Sequence, residues 1–259
     1  MGWLQSNTFV QMGKSTQRIE TDKIRKKVAR AIHAYQLFGE DDRVLLGISG
    51  GIDSLVMLDI LANRRKYMPI RYHLEAIHVY MQDIPNLSDR GYIEQICNQG
   101  DINLHQEGTT THRPNTRKSM CFNCSWNRRK TIFNKASELG CNKIAFAHHM
   151  DDALETLLMN MTFHGEMSSF PPKLSMFDGR FDLIRPLILV CSEDIEHYAA
   201  IRGIRPAEYG CPYEKDNHRE QFKGAIDQIS QLHPQGRINL YNAMGNIYPD
   251  YLPGKPTER

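Results

Sequence analysis

The apolar run Val44-Leu45-Leu46-Gly47-Ile48 ends directly in Ser49-Gly50-Gly51-Ile52-Asp53-Ser54, and Leu55 to Leu61 then reads as a helix. A short apolar run without polar alternation fits a strand buried on both faces, as in a mostly parallel sheet covered by helices. Consecutive glycines at its end let the backbone turn sharply and present N–H groups to an anion, and the following helix adds its positive end. Ser49 and Ser54 can donate hydroxyl hydrogen bonds to phosphate oxygens. Asp53 repels phosphate as a bare carboxylate, so its expected duty is to Mg²⁺ or to loop geometry. Met12-Gly13-Lys14-Ser15-Thr16 resembles the end of a different phosphate loop, but Thr8 stands where that loop needs glycine and no apolar strand precedes it.

The rest of the chain continues the strand–helix alternation. Residues 22–37 read as an amphipathic helix, Leu74 to Val79 and Ile102 to His105 as strands, and Ile132, Phe133, Ala136 and Leu139 as a helix stopped by Gly140. Lys143 to Ala147 is a further strand, followed by His148-His149-Met150-Asp151-Asp152 and a helix to about Phe163. Leu183 to Val190 is expected as the next strand, with Ser192 as the N-cap of another helix. This pattern predicts a doubly wound, mostly parallel α/β sheet, in which ligands bind at the carboxyl ends of strands. Ser49–Ser54 and His148–Asp152 are both expected at that edge. Six prolines from Pro206 onward read as a less regular tail. The expected organisation is an N-terminal segment 1–21, an α/β domain 22–204 and a C-terminal extension 205–259.

A 259-residue chain with 41% hydrophobic and 24% charged residues is ordinary for a globular protein. There is no run of about 18 apolar residues and no secretory pattern at the N-terminus, so a cytoplasmic protein without membrane contact is expected. There, six cysteines are poorly explained as a disulfide framework, and Cys121-Phe122-Asn123-Cys124 is a candidate soft-metal or redox pair. It precedes a predicted helix, whose dipole, with Arg128 and Arg129, is expected to lower the thiol pKa. Cys211 reads equally as a ligand or a packed thiol, and Cys97, Cys141 and Cys191 as packed thiols. The formal charge is only +2, yet basic residues cluster at 23–30, 64–66, 113–118 and 128–130. Each cluster alone is ordinary; four together point to phosphates. Asp151 and Asp152 could hold Mg²⁺ or cap their helix, and Arg185 could neutralise phosphate or sit in a surface ion pair.

Ser-Gly-Gly-x-Asp-Ser after a first strand resembles the PP-loop ATP pyrophosphatase superfamily, whose members cleave ATP between the α and β phosphates. Cys-x-x-Cys-Ser-x-x-Arg-Arg at 121–129 and Ala147-His148-His149-Met150-Asp151-Asp152-Ala153-Leu154-Glu155-Thr156 are similar to the narrower tRNA 2-thiocytidine synthetase family. Pro171-Pro172-Lys173-Leu174, Ile184-Arg185-Pro186-Leu187 and the stretch from Ala243 to Pro249 look like that family's later segments. The resemblance implies ATP binding by Ser49, Gly50, Gly51, Ile52, Asp53 and Ser54, aided by His78, His149 and Arg185. It also implies catalytic roles for Asp53, Asp151, Asp152 and Arg128, and Cys121, Cys124 and Cys211 as ligands of a [4Fe–4S] cluster with one iron open. The implied reaction adenylates the C2 oxygen of a cytidine in tRNA, position 32 by analogy, and replaces it with sulfur. Further implied are Mg²⁺, a sulfur donor such as a cysteine desulfurase, and a homodimer.

Departures leave other readings open. Ile52 stands where the bacterial family commonly has lysine, Met150 where it often has arginine, and His78-Val79-Tyr80-Met81 differs from the usual stretch. One rival is a thiolase acting on another nucleoside or a small metabolite. Another is a non-catalytic RNA-binding module holding zinc, with His112 completing the three thiolates.

Overall fold

The computed structural model describes residues 14–84, 87–113, 117–207, 211 and 218–253. The elements are α1 (Lys14–Ala34), β1 (Asp42–Gly47), α2 (Ile52–Arg65), β2 (Tyr72–Met81), α3 (Arg90–Gln99), β3 (Asn103–Thr109) and α4 (Met120–Glu138). After these come β4 (Lys143–Ala145), α5 (Met150–His164), β5 (Lys173–Met176), β6 (Phe181–Ile184), α6 (Ser192–Arg202), α7 (His218–Leu232) and α8 (Gly236–Ala243). The chain divides into two compact units: Met1–His149 with Pro171–Asp216, and Met150–Phe170 with Asn217–Arg259. Among the described residues no helix is long and apolar enough to cross a membrane.

The first unit holds a six-stranded sheet in the order β3-β2-β1-β4-β6-β5. All neighbours are parallel except β5, which runs antiparallel to β6. Strand order leaves β1 in one direction toward β2 and β3 and in the other toward β4 and β6. The switch point is therefore at the carboxyl ends of β1 and β4, where such sheets bind ligands. Val44, Leu45 and Leu46 are wholly buried, as an uninterrupted apolar strand requires. On one face Leu45, Ile77, Val79, Ile144 and Leu183 pack against Ile132 and Ala136 of α4. This anchors the inner side of α4 on the sheet.

Several sequence expectations are corrected. The strand expected over Leu183–Val190 stops at Ile184, because Pro186 follows Arg185 and the chain turns there. The short antiparallel β5 was not anticipated. Cys191, not Ser192, is the N-cap of α6, its N–H donating to Asp194 at 3.3 Å. The tail beyond 205 is more regular than its prolines imply: α7 and α8 are helices that pack with α5 in the second unit. Lys14, Ser15 and Thr16 belong to α1, not to a strand-fed loop; Met12 and Gly13 lie outside the described residues.

Candidate functional site

Gly50 takes φ 99°, a conformation that side-chain-bearing residues rarely adopt, and Gly51 is the N-cap of α2 without any side-chain cap. The loop is internally braced. The N–H of Gly51 donates to Ser49 Oγ at 3.0 Å, the N–H of Gly50 to Ser54 Oγ at 3.3 Å, and Ser54 Oγ donates to the Gly51 carbonyl at 2.8 Å. Ser54 thus serves the turn, and Ser49 stands exposed at its mouth. His149 Nε2 lies 3.9 Å from Asp53 Oδ1, joining two residues read separately in the sequence.

His78 fixes this loop from the next strand. Its Nδ1 is 2.8 Å from the Ile48 carbonyl and its Nε2 is 2.8 Å from Ser88 Oγ. A carbonyl only accepts, so Nδ1 carries the proton and Nε2 accepts from the serine. Burial holds the His78 pKa below its ordinary value; Arg128 and Arg90 push the same way, against the Ile48 hydrogen bond.

Beyond Ser49 opens a cavity of about 800 Å³. Its wall includes Ser49, His78, Cys121, Cys124, Arg128, Arg129, His148 and Cys211, and among the described residues no carboxylate lines it. Gly47 also lines it, where an added Cβ would sit 3.1 Å from the Phe146 ring. Cys121 and Cys124 do not precede a helix but occupy the first turns of α4, whose N-cap Ser119 accepts from the Phe122 N–H. The expected lowering of thiol pKa is also corrected at Cys124. Its value is raised, chiefly by burial, with Cys211 and Cys121 adding to the rise and Arg128 opposing it. Arg128 thus acts on both Cys124 and His78 and lines the same cavity.

Cys211 reaches the cavity through contacts that sequence spacing does not reveal. Tyr198 and Arg202 of α6 bind Asp59 of α2, and Gly203 ends the helix in the left-handed conformation. The chain then runs along the loop: the Ala207 N–H donates to the Gly50 carbonyl at 2.8 Å, and the Asp89 N–H to the Ala207 carbonyl at 2.6 Å. Arg205 pairs with Asp89 at 2.8 Å and lies 4.0 Å over the Tyr92 ring. Glu208, Tyr209, Gly210 and Pro212 lie outside the described residues.

The remaining predicted residues are placed differently. Arg185 is buried and does not line the cavity; it donates to the Pro171 carbonyl at 2.5 Å, and burial, with Arg129, brings its pKa down to about 10. In the second unit, Asp151 pairs with Arg237 at 3.1 Å, a partner with no signal in the motif, and Arg237 also binds Asp227. Asp152 follows Asp151 in the first turn of α5. Cys97 and Cys141 are buried core thiols with pKa raised by burial to about 12 and about 11, whereas Cys191 is half-buried. His112 is exposed and does not line the cavity.

Among the described residues no three His, Cys, Asp or Glu side chains are already drawn together as a metal site. Three thiols lining one cavity are nevertheless the donor set of a thiolate-ligated centre, and among the described lining residues there is no carboxylate to favour a hard cation.

Comparison with known proteins shows the family. A PP-loop domain family matches residues 20–222. The tRNA-cytidine(32) 2-sulfurtransferase of Syntrophotalea carbinolica is 35% identical over 240 residues, covering 89% of this chain and 91% of that protein. That of Paracidovorax citrulli is 37% identical over 235 residues, covering 88% and 74%. In fold, the chain is similar to the U34-tRNA thiolase NcsA of Methanococcus maripaludis, solved with its [4Fe–4S] cluster, with TM-score 0.70 and 20% identity over 92% of this chain and 81% of that one.

Proposed function

The chain belongs to the tRNA-cytidine(32) 2-sulfurtransferase family of PP-loop proteins, and we propose that it is an ATP-dependent tRNA thiolase of that kind, acting on cytidine 32. One observation carries the reading: Cys121, Cys124 and Cys211 line the same cavity as Ser49 of the phosphate loop. Nucleotide activation and a sulfur-handling centre are then adjacent parts of one site.

In the proposed reaction, ATP lies with its phosphates against the Ser49–Ser54 loop. The C2 oxygen of the base attacks the α-phosphate, pyrophosphate leaves, and an adenylated base forms. A sulfur nucleophile then attacks C2, and the C2–O bond breaks with release of AMP. Adenylation is necessary because a bare C2 oxygen is too poor a leaving group. Cys121, Cys124 and Cys211 would hold a [4Fe–4S] cluster, whose chemistry is to carry the sulfur. Asp53 would hold Mg²⁺, which neutralises phosphate charge when bound, and the 147–156 motif assigns the same duty to Asp151 and Asp152. Arg128 would polarise the reacting base, and Arg128 and Arg129 on the cavity wall favour polyanionic ligands. His78 and His149 orient the loop and Asp53, and Arg185, held by the Pro171 carbonyl, adds positive charge near Arg129. Six cysteines free of disulfides fit a reducing cytoplasm. A cysteine desulfurase as sulfur donor and a homodimer complete the reading.

The test is anaerobic purification with iron, sulfide and zinc counts, then thiolation of unmodified tRNA with ATP and sulfide. The expected result is a brown protein with about four irons that forms 2-thiocytidine, both lost in Cys211→Ala. Zinc without iron would refute the cluster assignment. Thiolation of uridine instead would refute the choice of base.

A further inference from the structure

Residues 108–137 contain seven of the chain's 32 Lys and Arg residues and none of its 30 Asp and Glu residues. This imbalance is local, since the whole chain carries only +2. The four basic clusters differ in how many of their cations are paired and in what surrounds them. In the 23–30 cluster, Lys23, Arg25 and Lys27 each bridge a carboxylate, and in the 64–66 cluster Arg65 pairs with Asp101. Lys135 is likewise taken up by Glu107 and Glu138. Arg113, Arg117, Arg129 and Lys130 make no ion pair with a described residue, and neither do Lys26, Arg30, Arg64 and Lys66, so what sets the first four apart is the aromatic helix beside them.

These four charges gather around α4. Phe122 and Trp126, four residues apart and so on one side of the helix, remain 45% and 37% exposed. Arg113 lies 3.8 Å over the Trp126 ring, Lys130 5.4 Å from it, and Lys118 5.7 Å over Phe122. The next side of the same helix, through Cys121, Cys124, Ser125, Arg128 and Arg129, forms the cavity wall. An aromatic stripe bordered by cations therefore runs along the mouth of the thiol cavity. Aromatic faces stack unpaired bases, and cations spaced between them meet the phosphates of the same strand. A purely apolar stripe would fit a protein groove or a lipid; five cations that outnumber the nearby Asp83, itself held by Thr111, fit a polyanion.

We propose that the outer side of α4, with Phe122, Trp126, Arg113, Arg117, Lys118, Arg129 and Lys130, docks the single-stranded loop of the tRNA beside the reacting nucleotide. This rests on the tRNA reading above. Loop bases can splay from their stack, so the target base enters the cavity while its neighbours stack on Trp126 and Phe122.

Trp126 is itself a reporter, because the only other tryptophan is Trp3. In a Trp3→Phe background, a synthetic anticodon stem-loop is expected to quench Trp126 emission, with the same midpoint as binding measured by anisotropy. This leaves the proposed surface unaltered. Separately, Arg113→Glu/Lys130→Glu is expected to weaken stem-loop binding roughly tenfold and to lower the salt slope by about 1.5. The charge-matched Lys26→Glu/Arg30→Glu on α1 is expected to leave both unchanged. Stem-loop binding without quenching, or equal weakening by the two double variants, would overturn the docking surface while leaving the tRNA reading intact. Absence of binding by the unaltered chain would overturn both. Quenching by poly-glutamate but not by the stem-loop would assign this surface to an acidic protein instead.

Discussion

His78 is 2% exposed and joins the end of β2 to the residue just before the phosphate loop. Replacing it by leucine keeps the volume but leaves the Ile48 carbonyl buried without its side-chain donor, a loss of about 1–3 kcal/mol. Ser88, half-buried, can turn to water and adds little. At pH 7.5 the variant is therefore expected to be about 2 kcal/mol less stable. The pH dependence is the sharper test. Protonating Nε2 breaks no bond, because Ser88 Oγ can accept as well as donate; the cost is a charge buried away from water, which Arg128 and Arg90 also repel. The folded pKa thus lies below the unfolded value of about 6.5. In the window between them the unfolded chain binds the extra proton, so stability is full above 6.5 and falls as the pH is lowered. The limiting slope for one proton is about 1.4 kcal/mol per pH unit. Urea unfolding of both proteins at pH 7.5, 6.5 and 5.5 should show their stability difference shrinking on acidification. A difference constant across this range would refute the buried neutral histidine.

Two further perturbations test other parts of the structure. Gly50→Ala places a Cβ at φ 99°, a strain of about 1–3 kcal/mol, and the loop is expected to relieve it by losing the phosphate-binding shape. Calorimetric ATP affinity should fall at least about tenfold, and an unchanged affinity would show that the loop backbone does not bind the nucleotide. In the second unit, Arg237→Met removes the partner of Asp151, whose side chain is 6% exposed, and should cost about 3–5 kcal/mol in urea unfolding. Adding Asp151→Asn should recover much of that loss; a double variant as unstable as the sum of the singles would refute a pairwise role.

The strand–loop–helix at 44–61 was legible because each signal in it is local: an apolar run, two glycines and a following helix lie within eighteen residues. The Cys121–Cys124 pair was legible for the same reason, but its surroundings were not. Helix polarity and nearby arginines argue for a low thiol pKa, whereas burial outweighs them at Cys124, and burial is a property of tertiary packing. The expected strand over 183–190 failed on a comparable point, since an apolar run cannot say whether its residues pair with neighbours or pack in a turn. Cys211 marks the limit most clearly. Its sequence neighbourhood left ligand and packed thiol balanced, and the resemblance alone favoured a ligand. What brings it to the cavity is a backbone clasp, Ala207 between Gly50 and Asp89, reinforced by Arg205. Backbone hydrogen bonds carry no residue signature, so a scan for motifs passes over them. The clasp also ties the segment bearing the third thiol to the phosphate loop itself.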